Sequence, residues 1–152
     1  MNQIAQLLPP TNILLDVDAE SKSGLFDALG ALFESNHGLA RRTVVGSLVA
    51  REKLGSTGLG QGVAIPHGRI KGLADAQGAF VNLAKPIPFD APDGKPVSQI
   101  FVLLVPEQAT ERHLQLLSEL AQMFSDRAFR ERLATATTPA AVHALFSSWQ
   151  AT

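Results

Sequence analysis

Apolar and polar positions change period several times along the chain, and each change marks an element. Residues 3–8 read as a short helical turn stopped by Pro9-Pro10. Ile13-Leu14-Leu15-Asp16-Val17 predicts a first strand. Residues 20–36 place Leu25, Leu29, Leu32 and Phe33 on one helical face, with Gly38 just beyond as a stop signal. Residues 41–53 repeat that pattern through Val44, Val45, Leu48 and Val49 and put Arg51 in the last turn. Val63-Ala64-Ile65 then predicts a short buried strand over 62–66, broken at Pro66. Residues 77–83 predict a third strand, and the strongly apolar run from Val97 to Val105 a central one. Between them Pro86 and Pro88 predict extended, irregular chain. Pro92-Asp93-Gly94 predicts a turn, because Pro presets φ and Gly accepts positive φ. The 84–96 connection links the two strands as a ribbon.

The last third is helical. A helix is predicted from Thr110 through Phe124, with Glu111 in its first turn; Leu114, Leu117, Ala121 and Phe124 face one side, and Leu116, Leu120 and Met123 broaden the stripe. Asp126 is placed to cap a short helix over 127–134. Thr138 with Pro139 at the first helical position opens a final helix whose inner face carries Val142, Leu145, Phe146 and Trp149. No repeat or low-complexity run divides the sequence. The expectation is one domain over residues 1–152, of mixed α/β type, with a roughly five-stranded mixed sheet flanked by helices on both faces.

Composition narrows the function classes. Net charge is −1, so there is no electrostatic case for nucleic acid or an anionic membrane as partner. The chain contains no Cys, which excludes disulfides, thiolate catalysis and Cys-based metal sites. No apolar run reaches the roughly 18 residues of a membrane span. Met1-Asn2-Gln3-Ile4 lacks the basic start of a signal peptide. A cytoplasmic location is expected.

The candidate chemistry lies in residues 51–69, where Gly55, Gly58, Gly60, Gly62 and Gly68 cluster. Such a run is no helix, since each interior Gly costs about 1 kcal/mol relative to Ala. Gly55 and Gly60 have the outer spacing of a Walker A loop, but Gln61-Gly62 stand where Lys-Ser/Thr is required. The dinucleotide fingerprint fails on spacing, and a strand rather than a helix follows the glycines. The nucleophile elbow fails because Leu54 stands two residues before Ser56. What remains is His67, presented at the end of a buried strand. Pro66 restricts the backbone before it and Gly68 leaves room after it. Arg51 and Arg69 bracket it with positive charge. Arg51 has a second reading, as a cation favoured by a helix C-terminus. His113 reads either as a surface histidine or as an anion-facing group at a helix start. His37 sits beside a helix-ending Gly, and His143 lies in the last helix; neither is given a role. A zinc site built on His67 and His113 lacks a third protein ligand, so no metal or other cofactor is expected.

Arg51-Glu52, Gly55-Ser56-Thr57-Gly58 and Val63-Ala64-Ile65-Pro66-His67-Gly68 together resemble the fructose/mannitol-class enzyme IIA domains of the bacterial phosphoenolpyruvate phosphotransferase system. The nitrogen-regulatory branch is the nearest in look. The resemblance implies that His67 accepts a phosphoryl group through Nε2 while a backbone carbonyl holds its other nitrogen. It implies a second active-site histidine at His113 and an HPr-type phosphocarrier as donor. Arg51 is then the candidate holder of the phosphoryl oxygens. Ser56 and Thr57 bind phosphate or hold the loop, Gly68 belongs to the same loop, and Arg69 steers the donor at most. Leu59 is a candidate for the apolar rim where the donor docks. Downstream, two readings compete: signalling to regulatory target proteins, or passing the group to an enzyme IIB for fructose or mannitol transport. A third is a binding module whose His67 is never phosphorylated.

Overall fold

In a computed structural model, residues 2–108 and 111–150 are described. The helices are α1 (Gln3–Gln6), α2 (Lys22–His37), α3 (Arg41–Glu52), α4 (Glu111–Ser125), α5 (Arg127–Thr135) and α6 (Pro139–Ser148). The strands are β1 (Ile13–Val17), β2 (Gly58–Gly60), β3 (Val63–Ala64), β4 (His67–Ile70), β5 (Gln77–Ile87) and β6 (Val97–Pro106). The predicted start of α4 at Thr110 falls outside the described residues.

One six-stranded sheet runs β1-β5-β6-β3-β2, with β4 also on β6. β5 and β6 pair antiparallel; β1 joins β5, and β3 and β4 join β6, all in parallel. The mixed sheet with helices on both faces is as expected, and its sixth strand has a specific origin. The glycine-rich stretch contributes three short strands where the apolar pattern marks one. Gly58–Gly60 turns back onto Val63–Ala64 through Gln61 and Gly62, whose φ values of 59° and 80° suit the mirror-image turn that a right-twisted hairpin needs. The chain is interrupted as a strand at Ile65-Pro66 while staying beside β6, and continues along it as β4, His67 opposite Leu103.

Each face of the sheet has its own core. On one side Phe80 and Phe101 pack with Phe124, Phe129 and Phe146 from α4, α5 and α6, the ring pairs 5.1–6.4 Å apart between centroids. On the other, Leu25, Leu29 and Phe33 of α2 and Val44 and Leu48 of α3 cover Val81, Ile100, Val102 and Leu104. Helix ends follow local chemistry. Ser21, Asp126 and Thr138 accept backbone N–H groups at their helix starts, and Gly38 takes the left-handed C-cap of α2 at φ 69°.

Two expectations need correction. Pro86 lies inside β5, not in irregular chain. It is tolerated because the β5–β6 ladder is interrupted between Asn82 and Ile87, so no ladder hydrogen bond is asked of it. The buried stripe of α4 is Leu116, Leu120, Met123 and Phe124, whereas Leu114 is 65 % exposed and Ala121 is on the surface. The helix is rotated so that Leu114 stays on the surface, outside the aromatic core.

Candidate functional site

His67 is held at both ring nitrogens. Its Nδ1 lies 2.9 Å from the Ile65 carbonyl and its Nε2 lies 3.2 Å from Arg51 Nε. A carbonyl only accepts and a guanidinium only donates, so these two partners select one tautomer. Nδ1 carries the proton and Nε2 presents its lone pair. The Ile65 carbonyl is within reach because the strand is interrupted there, while the neighbouring Pro66 carbonyl accepts Leu103 N–H of β6 at 3.0 Å. The ring is half-buried, and its pKa is lowered first by that burial and then by the Arg51 charge. The Ile65 hydrogen bond and the Glu52 charge oppose the shift. A neutral, oriented imidazole is the net result.

Arg51 closes α3 and is itself fixed. Its Nη1 donates to the Gly55 carbonyl at 2.9 Å. The distance from α3 to β4 is set at Gly68, where an added Cβ would lie 3.0 Å from Ser47 Cβ and collide with its Oγ. Ser47 Oγ also donates to the Arg69 carbonyl at 3.0 Å, tying helix to strand. Gly68 thus lets the helix bearing Arg51 approach the strand bearing His67.

His113, in the first turn of α4, faces His67 with ring centroids 6.0 Å apart and planes at 71°. Its Nε2 is enclosed and has no hydrogen-bond partner among the described residues. Burial and the charges of His67 and Arg69 lower its pKa. The two rings share a cleft with Ser47, Arg51, Leu54, Gly68 and Arg69. Arg69 points its Nη1 toward the Glu107 carbonyl at 3.5 Å and stays exposed.

Ser56 and Thr57 spend their hydroxyls on the protein. Ser56 Oγ donates to the Phe89 carbonyl at 2.7 Å and accepts Gly58 N–H at 3.0 Å. Thr57 is buried, and its Oγ1 donates to Glu52 Oε1 at 2.6 Å. Both side chains therefore hold the loop. Leu59 is 44 % exposed but lines a different groove, with Ala121, Phe124 and Arg130; Leu54, 83 % exposed, is the apolar residue at the His67 cleft. The sequence pattern had given Leu54 and Glu52 no role at the site. An apolar residue directly after a helix, inside a glycine loop, was the available signal for Leu54. His37 contacts Asn12 at the end of α2, and His143 lies 3.2 Å from the Ala5 carbonyl; both are away from the cleft.

A histidine at a strand tip with its Nε2 lone pair facing a guanidinium, on a mixed sheet of this order, defines a class. The chain belongs to the family described as phosphoenolpyruvate-dependent sugar phosphotransferase system, EIIA 2, whose profile matches residues 6–149. Within it, the chain is 42 % identical over 144 residues to the nitrogen regulatory protein of Pseudomonas aeruginosa, covering 94 % of each. It is also similar to the crystal structure of nitrogen regulatory protein IIA-Ntr from Neisseria meningitidis, with 52 % identity and a TM-score of 0.90 over 95 % of this chain and 99 % of that one. The IIA mannitol structure from Escherichia coli, at 22 % identity and a TM-score of 0.75 over 90 % of this chain and 96 % of that one, shares the fold. No helix among the described residues is long and apolar enough to cross a membrane.

Proposed function

We propose that the protein is a phosphohistidine carrier of the nitrogen-regulatory phosphotransferase branch, acting as one EIIA domain in the cytoplasm. His67 accepts a phosphoryl group from an HPr-type carrier and signals through its phosphorylation state. The observation that carries this reading is the pairing of His67 with Ile65 through Nδ1 and with Arg51 through Nε2. The Nε2 lone pair attacks phosphorus, the P–N bond to the donor's imidazole breaks, and that imidazole leaves with the electron pair. Positive charge then develops on the His67 ring, and the Nδ1–H bond to the Ile65 carbonyl strengthens with it. Arg51 Nε–H loses its acceptor as Nε2 binds phosphorus, so its donors turn to the phosphoryl oxygens. A guanidinium presents them as a rigid fork. His113 Nε2, without a partner among the described residues, is available as a further donor in the tautomer that carries its proton there. Phosphoryl transfer asks little of a protein beyond positioning and charge stabilisation, and this cleft supplies both.

The test is incubation with phosphoenolpyruvate, enzyme I and an HPr-type carrier, scoring acid-labile phosphate on the chain. Wild type takes it up and His67→Ala does not; normal labelling of His67→Ala would move the site elsewhere. A second reading, transfer onward to an enzyme IIB for sugar uptake, draws on 32 % identity over 134 residues to a fructose-specific EIIA component of Haloferax volcanii, covering 88 % of this chain. Adding a fructose or mannitol IIB to the phosphorylated protein separates the two. Retention of the group favours the regulatory role, and rapid loss to IIB the transport role.

A further inference from the structure

Glu52 is the most constrained charge near the cleft, and no step so far uses it. Its side chain is 7 % exposed. Three donors converge on the carboxylate: Lys22 Nζ at 2.8 Å, Thr57 Oγ1 at 2.6 Å and Thr57 N–H at 3.1 Å. Its own carbonyl accepts Gly55 N–H at 3.2 Å. Glu52 therefore closes the 52–57 loop twice, once through its backbone and once through its side chain. The peptide enclosed by those contacts carries the Gly55 carbonyl that receives Arg51 Nη1. Lys22 in turn sits 4.5 Å over the Phe89 ring, and Ser56 is bound to the Phe89 carbonyl. The loop is pinned from inside by Glu52 and from outside by the 88–91 connection.

We propose that Glu52 is a positioning residue for phosphoryl transfer at His67: its lysine-held carboxylate fixes the loop whose Gly55 carbonyl aims the Arg51 guanidinium at Nε2. A buried carboxylate with three donors is expensive to leave out of water unless every donor stays in place. Loosening the loop at this point thus releases the only backbone acceptor that the Arg51 guanidinium has among the described residues.

The inference rests on the phosphocarrier reading for its kinetic arm and is independent of it for its spectroscopic arm. In Glu52→Gln, one carboxylate oxygen becomes an amide NH₂ that cannot accept from Lys22 or Thr57. Phosphorylation by an HPr-type carrier should slow by about ten- to a hundred-fold, the scale of a misplaced positioning group. The loss should fall on kcat more than on the KM for the carrier, because the loop's one side chain at the cleft is Leu54 whereas Arg51 and His67 face the reacting group. By NMR, the Arg51 Nε–H signal should lose its protection from solvent exchange. Thr57→Val, nearly isosteric, removes one donor and should shift both readouts in the same direction by less. It carries the test if Glu52→Gln does not fold. Wild-type rates with an unchanged Arg51 Nε–H signal in either folded variant would overturn the proposal. If the wild-type protein takes up no phosphoryl group, the phosphocarrier reading falls and the NMR arm alone decides the role of Glu52.

Discussion

His67 and His113 face each other across 6.0 Å and are held in opposite ways. His67 has a partner on each nitrogen, both supplied by chain that the β3–β4 interruption and the end of α3 bring together. His113 has an enclosed Nε2 with none among the described residues. The first arrangement fixes a tautomer and a direction of attack before any donor arrives. The second leaves hydrogen-bonding capacity unused until something with acceptor oxygens enters the cleft. Under the proposed function, one ring is preorganised to react and the other is ready to receive what the reaction brings.

The sharpest way to break this contrast is to remove the partner of Nε2. Arg51→Ala should slow phosphorylation by about 10²–10³-fold, the usual effect of losing one charge-stabilising donor, with the thermal unfolding midpoint nearly unchanged. His67 should titrate higher in that variant, because the guanidinium contributes to its lowered pKa. Labelling at the wild-type rate would take Arg51 out of the site. Gly68→Ala comes next. The new methyl meets Ser47 and forces α3 away from β4, which should cost about 1–3 kcal/mol as overpacking. Phosphorylation should slow along with it; a variant as stable and as fast as wild type would refute the spacing argument. His113→Ala should slow labelling less than Arg51→Ala. Its stability should hold or rise, because an unpaired buried atom is deleted. A marked loss of stability would mean that His113 serves the fold rather than the site.

The smallest effect is on pH dependence, and its sign follows from the shifts. Both rings are lowered below their ordinary value near 6.5. Below that value the unfolded chain binds more protons than the folded one, so stability falls as pH drops from about 6.5 through the lowered folded values. Above 6.5 these two groups add no slope. Denaturant midpoints measured across that range should show the acid-side decline shrink in His67→Ala. An equal decline in wild type and variant would assign it to carboxylates instead.

Much of this was legible in one dimension. The 3.6-residue period of Leu25, Leu29 and Phe33, the Asp126 and Thr138 helix starts and the apolar run before Pro106 are local signals, and the elements follow them. His67 stood out because a strand, a Pro and a glycine loop converge on it in sequence. The misses have a common cause. Whether Gly58–Gly60 or His67–Ile70 counts as a strand depends on β3 and β6 lying alongside, and three or four residues carry too little period to announce it. Pro86 was misread because the gap in the ladder that admits it is a property of two strands. Leu114 was misplaced because apolar spacing reports which residues favour burial, not how a helix is rotated on its sheet, and Leu59 because the β2–β3 hairpin sets it beside Ala121 and Arg130.

By itself the sequence determined the class of fold, the histidine and the cations near it, since those depend on residue type and short-range order. Only the tertiary structure decided which nitrogen of His67 bears the proton, that Ser56 and Thr57 spend their hydroxyls on the loop, and that Lys22 and Thr57 converge on the Glu52 carboxylate. Each of those is a matter of which donor meets which acceptor, and such meetings are arranged by packing between segments distant in the chain. A hydrogen bond is decided within a few tenths of an ångström, a scale that residue order alone does not encode.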